Sequence, residues 1–141
     1  MAPALRYRPR NADYSSVSPT STDFRVLVAE DMADVRDVVC EALEADGLHV
    51  TAARDGTEAL AVLDREAIDV LVTDFAMPGC DGLQVAKACK QQRPNAKVIL
   101  LTAWDLHVKD NDCTQNGVDM VIAKPVHMRT LLAAVRTAAA R

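Results

Sequence analysis

Four charged side chains and one hydroxyl stand directly after short apolar runs: the Glu30-Asp31 pair, Asp74, Thr102 and Lys124. Three carboxylates brought to one place repel one another unless a cation sits among them. Hard oxygen ligands select Mg2+ (or Mn2+), which keeps several waters and leaves room for a phosphoryl group. Lys124 would supply a second positive charge. A carboxylate held between a divalent ion and a lysine is a plausible phosphoryl acceptor, since aspartyl-phosphate is established covalent chemistry. The two cations would neutralise charge on the transferring group, and the Thr102 hydroxyl could hydrogen-bond it. Each residue alone has a plainer reading. Glu30-Asp31 could cap a helix, Asp74 could sit in a turn, Thr102 could end a strand and Lys124-Pro125 could form a loop. Their joint placement is hard to obtain by chance, and it depends on the elements that carry them.

Those elements follow from periodicity. Phe24–Ala29 reads as a strand, and Asp31–Asp46 as a helix with Val35, Val38, Val39, Ala42 and Leu43 facing inward and Gly47 as its stop. Leu48–Ala53 is a weaker strand, Asp55-Gly56 a turn, and Thr57–Glu66 a helix burying Ala59, Leu60 and Leu63. Ile68–Thr73 and Lys97–Leu101 are apolar throughout, the mark of strands buried on both faces. Between them Gly82–Gln92 carries Leu83, Ala86 and Cys89 at helical spacing. Residues 105–116 are rich in poor helix formers, Asp110, Asn111, Asp112 and Asn116. Met120–Ala123 is the last strand, and His127–Ala140 the last helix, with Leu131, Leu132, Val135 and Ala138 inward.

Strand and helix thus alternate five times. The fold expected is α/β: a five-stranded parallel sheet with helices on both faces and right-handed crossovers. In such open sheets the active groups gather at the carboxyl ends of the strands. Glu30-Asp31, Asp74, Thr102 and Lys124 stand at the ends of the first, third, fourth and fifth strands.

Composition narrows the function. The 141 residues make one domain, with a net charge of −4 and 50% hydrophobic residues but only 4% aromatic ones, so the core must be aliphatic. Residues 1–23 are rich in proline, serine and threonine, lack periodicity and carry +1, leaving −5 on residues 24–141. They read as a flexible tail before the folded domain. An acidic domain is a poor partner for nucleic acid. No apolar run reaches the ~20 residues of a membrane span, and no apolar stretch follows the N-terminal arginines as a secretory signal requires. Cys40, Cys80, Cys89 and Cys113 form no C-x-x-C pair and read as small buried residues of a reduced, cytoplasmic protein.

With these residues in view, the sequence resembles the receiver domain of two-component response regulators. The resemblance rests on Ala29-Glu30-Asp31, the run Asp74-Phe75-Ala76-Met77-Pro78-Gly79-Cys80-Asp81-Gly82, Leu101-Thr102-Ala103 and Lys124-Pro125, and spans residues 24–140. It implies the flavodoxin-like (βα)5 fold, with Asp74 as phosphoacceptor and Glu30, Asp31, Asp74 and the backbone carbonyl of Ala76 around Mg2+. It also implies that Thr102 moves toward the phosphoryl group, that Lys124 pairs with it, and that the Lys124-Pro125 bond is cis. The donor would be a histidine kinase or a histidine phosphotransfer protein. Residues 105–140 would be the face read by a downstream protein, and homodimerisation is compatible with the family. The domain would accept phosphate and signal rather than act as an enzyme on an outside substrate, although it would promote its own phosphorylation and dephosphorylation.

Two departures carry expectations. Where the family places Tyr or Phe three residues before the lysine, this chain has Val121, which has no polar handle for aromatic switching. Beside the site, Ala103 and Trp104 follow Thr102, and Ala76 follows Asp74 by two. Ala76 cannot position a water and Trp104 could shield the phosphoryl group, so a long-lived aspartyl-phosphate is expected.

The same residues bear on rival functions. A phosphatase of the haloacid dehalogenase type needs an acid two residues after its nucleophile, where this chain has Ala76. A nucleotide- or flavin-binding fold needs a phosphate-binding loop after the first strand, where Glu30-Asp31-Met32-Ala33-Asp34 is acidic. A degenerate receiver used only for docking is opposed by the intact Glu30, Asp31, Asp74, Thr102 and Lys124. No output domain follows the last helix, and the distinct N-terminal tail leans toward a stand-alone, chemotaxis-regulator-like receiver. A receiver fragment of a larger hybrid kinase or regulator is the alternative.

Overall fold

The computed structural model describes residues 24–103 and 110–140. Five strands, β1 (Arg25–Ala29), β2 (His49–Ala53), β3 (Val70–Asp74), β4 (Lys97–Ala103) and β5 (Met120–Lys124), alternate with five helices. The helices are α1 (Ala33–Ala45), α2 (Gly56–Arg65), α3 (Gly82–Gln92), α4 (Asp110–Gln115) and α5 (Met128–Ala140). All strand pairs are parallel, in the order β2-β1-β3-β4-β5. This is the flavodoxin-like order, whose reversal of winding next to β1 opens a crevice at the strand carboxyl ends.

Strand pleating divides the core into two layers. Val26, Val28, Val70, Val72, Ile99 and Leu101 face the layer shared with Val39 and Leu43 of α1 and Leu131 and Val135 of α5. Their neighbours Leu27, Leu71 and Val98 face the opposite layer, with Ala59 and Val62 of α2 and Val85 and Cys89 of α3. Because β1, β3 and β4 are covered on both sides, they are apolar almost throughout. The described core is aliphatic, as the composition requires, with Phe24 packed only at its margin.

Local chemistry sets the helix ends. Asp55 accepts from the Glu58 N–H at 2.8 Å to start α2. Asp81 and Gln84 form a reciprocal capping box at the start of α3. Gly47, at φ 90°, follows α1 in the left-handed conformation that stops a helix.

Several element ends shift by one or two residues, β3 running Val70–Asp74 rather than from Ile68 and β5 reaching Lys124, and three further expectations change. The fourth strand runs two residues past Leu101, because Thr102 and Ala103 continue the ladder with Ala123 and Lys124 of β5. Polar Thr102 ends the apolar run but not the pairing. Val38 is 52% exposed, and Cys40 takes the inward position beside Val39. The first helix begins at Ala33 rather than Asp31, since Glu30 and Asp31 belong to the turn that leaves β1. Of residues 105–116, Asp110–Gln115 is helical despite its poor helix formers. The readings of residues 1–23 and of Trp104 and residues 105–109 lie outside the described residues.

Candidate functional site: an acidic pocket at the strand carboxyl ends

Glu30 and Asp31 follow the last residue of β1, while Asp74 and Lys124 are themselves the last residues of β3 and β5. One carboxylate oxygen from each of Glu30, Asp31 and Asp74 lies within 4.8 Å of the others. Glu30 and Asp74 are buried and Asp31 is exposed, so the cluster opens to solvent on the Asp31 side. Lys124 closes the other side: its Nζ is 3.1 Å from Glu30 Oε1 and 3.1 Å from Asp74 Oδ1.

The charges explain one another. Glu30 is 1% exposed, and burial pushes its carboxyl above the ordinary range. The Met32 N–H, donating to Oε2 at 3.2 Å, pulls the other way; the Asp74 carboxylate adds to the rise, and Lys124 opposes it. Burial alone would weaken the base at Lys124, but its bonds to Glu30 and Asp74 outweigh that and raise its pKa. Three carboxylates against one ammonium leave a formal charge of −2 at the cluster, which a divalent cation matches. The donor set is hard oxygen with no sulfur or imidazole among the clustered residues, which suits Mg2+ or Mn2+. Glu30, Asp31 and Asp74 are therefore fitted to hold such an ion.

Thr102 is buried on β4, between the strands that carry Asp74 and Lys124. Its register neighbours place it there: Asp74 pairs with Leu101, and Thr102 itself with Ala123. The hydroxyl donates to the Ala103 carbonyl at 3.5 Å, a long bond that costs little to exchange. Ala103 pairs with Lys124 at the sheet rim. Ala76 lies exposed in the loop after Asp74, and the Lys124-Pro125 bond is cis. Val121 stands apart, 46% exposed on β5 and paired with Leu100.

Some contributors were not legible in the chain. Gly82 packs its α-carbon against the backbone of the site: a β-carbon there would lie 2.3 Å from the Asp74 carbonyl oxygen. Gly56 stands likewise against the Cys80 carbonyl, at 2.1 Å. Arg36 Nη1 donates to the Glu30 carbonyl at 2.9 Å. Both glycines, the first residues of α2 and α3, are visible in the sequence, but the backbone contacts that require them arise only in the fold.

The profile of the response regulator receiver domain family matches residues 26–136, and the chain belongs to that family. It is 33% identical over 108 residues to the response regulator receiver protein CpdR of Brucella abortus, covering 77% of this chain and 90% of that one. It is 30% identical over 112 residues to the sensor histidine kinase RcsC of Salmonella typhimurium, there spanning 12% of the kinase. The fold matches the response regulator TrrA of Thermotoga maritima, solved in complex with Mg2+–BeF, at a TM-score of 0.74 and 30% identity, covering 82% of this chain and 98% of that one. The protein is thus a receiver domain of two-component signalling. Among the described residues no helix is long and apolar enough to cross a membrane.

Proposed function

We propose that this domain accepts a phosphoryl group on Asp74 in a Mg2+-dependent reaction. The donor is a histidine kinase or histidine phosphotransfer protein in the cytoplasm. The observation that carries this reading is the Lys124 ammonium held 3.1 Å from Asp74 Oδ1 at the rim where Glu30 and Asp31 converge. An Asp74 oxygen attacks phosphorus. The P–N bond to the donor imidazole breaks, its electron pair stays on the nitrogen, and an acyl phosphate forms. Lys124, held between two carboxylates, is placed to exchange its Asp74 contact for a phosphoryl oxygen. Thr102 turns its weakly engaged hydroxyl to another. Glu30, Asp31, Asp74 and the Ala76 carbonyl would hold Mg2+, which would supply charge neutralisation to the transferring group.

The donor reading is supported by family membership and by the match inside RcsC, a sensor histidine kinase. Output runs through protein contacts over residues 105–140 or onward in a phosphorelay, without aromatic switching at Val121. The phosphoryl group ends on the domain's own Asp74, so we read it as a signalling acceptor that promotes its own phosphorylation and dephosphorylation, and not as an enzyme on an outside substrate. Intact mass after incubation with Mg2+ and acetyl phosphate tests the assignment. One phosphoryl adduct on the wild type, absent with EDTA and in Asp74→Asn, is expected. No adduct on the wild type, or an unchanged adduct in the variant, contradicts it.

A further inference from the structure

The turn that presents Glu30 and Asp31 is braced from the first helix. Arg36 donates through Nη1 to the Glu30 carbonyl at 2.9 Å and through its backbone N–H to the Met32 carbonyl at 2.9 Å. Asp31 lies between those two gripped carbonyls. On the other side of the turn, the Glu30 N–H donates to the Ala53 carbonyl at 3.1 Å and the Met32 N–H to the Glu30 carboxylate at 3.2 Å. Arg36 is the one basic residue of α1, whose other charged residues are Asp34, Asp37, Glu41 and Glu44. Its guanidinium is used on a backbone oxygen next to the acidic cluster.

We propose that Arg36 is a positioning residue for divalent-cation binding: it fixes the Glu30–Met32 turn so that the Glu30 and Asp31 carboxylates converge with Asp74. This rests on reading those three carboxylates as the cation site. A guanidinium beside a cation site otherwise opposes the cation by charge alone. The two roles therefore predict opposite signs, which makes the inference testable. If Arg36 only adds charge, its removal tightens Mg2+ binding. If it holds the turn, its removal weakens binding, because ligands out of place must be reordered at a cost.

The test is calorimetric titration of the full chain with MgCl2 alone, beside thermal unfolding in EDTA. Arg36→Met keeps the apolar stem and removes both charge and donor. Binding about tenfold weaker than wild type is expected, the low end of the loss on removing groups that orient metal ligands. Arg36→Gln, with a neutral N–H donor, is expected between the two. Equal or tighter binding in Arg36→Met overturns the inference. Should Arg36→Met not fold, Arg36→Lys carries the test: an ammonium replaces the planar fork by a point charge, so binding about threefold weaker is expected, and unchanged binding overturns it. A wild type with no saturable Mg2+ binding overturns the cation-site reading itself, whatever the variants do.

Discussion

Lys124 reaches Asp74 across an intervening strand: its Nζ lies 3.1 Å from Asp74 Oδ1, although β4 separates β5 from β3. The same ammonium is 3.1 Å from Glu30 Oε1, beyond the end of β1. One side chain from the edge strand thus ties together the ends of three strands, and it answers the repulsion among the carboxylates there.

Lys124→Ala is expected to lower stability without metal by about 2 kcal/mol, because Glu30 and Asp74 lose a charge-assisted partner while they stay buried. It also removes a positive charge that competes with a cation. Mg2+ is therefore expected to bind more tightly to this variant and to restore more of its stability than in wild type. Thermal unfolding in EDTA and across a MgCl2 series measures both effects. A variant that Mg2+ stabilises less than wild type contradicts the electrostatic account.

Gly82→Ala is expected to be costly, because the new β-carbon would lie 2.3 Å from the Asp74 carbonyl oxygen and 3.0 Å from the Phe75 α-carbon. Backbone must shift, and overpacking of this kind costs about 1–3 kcal/mol. A drop in Tm of roughly 4 °C per kcal/mol should accompany it. Displacement of the Phe75 and Asp74 amide resonances would locate the strain at the acceptor loop. An unchanged Tm would show that the close approach is not constraining.

How far the site was legible depends on which contacts carry it. β3 and β4 announced themselves because burial on both faces leaves an apolar run, and Asp74 stands where such a run stops. Thr102 stands at the rim as its position after an apolar run predicts, yet the strand continues through it because pairing does not require an apolar side chain. Val38 lies outward although the spacing predicts it inward, because it sits at the edge of the apolar stripe on α1, where helical spacing alone does not separate a flanking position from a buried one. Arg36, Gly56 and Gly82 act through backbone atoms of neighbouring elements, and such contacts leave no periodic trace in the chain.

Val121 supplies a test of signal transmission. At 46% exposed, Val121→Ala should change stability by no more than about 0.5 kcal/mol, whereas Leu71→Ala, fully buried, should cost about 2–5 kcal/mol. Chemical-shift changes on adding Mg2+ and beryllofluoride should be the same in Val121→Ala as in wild type, apart from residues next to the substitution. Loss of the response over residues 110–140 would show that the valine itself transmits it.

The cysteines shape behaviour at high pH. Burial pushes the Cys40 thiol up to about 12 and the Cys89 thiol up to about 11, against 9.0 for an unperturbed thiol. Both pKa values are raised by folding, so the folded state holds its protons more strongly. The contribution to stability is complete below pH 9 and is lost as pH rises from there through 11 and 12. Denaturant midpoints should therefore fall above pH 9, and less steeply in Cys40→Ala compared with its own value at pH 8. An alkaline slope unaltered by that substitution contradicts the assignment.

The central claim is that Asp74 receives the phosphoryl group, and the direct measurement is chemical mapping of the adduct. After phosphorylation with acetyl phosphate and Mg2+, borohydride reduction converts an aspartyl-phosphate to homoserine, and peptide mass spectrometry locates it. Homoserine at position 74 alone is the predicted result. Homoserine at Asp31, or at another aspartate with Asp74 intact, would contradict the account.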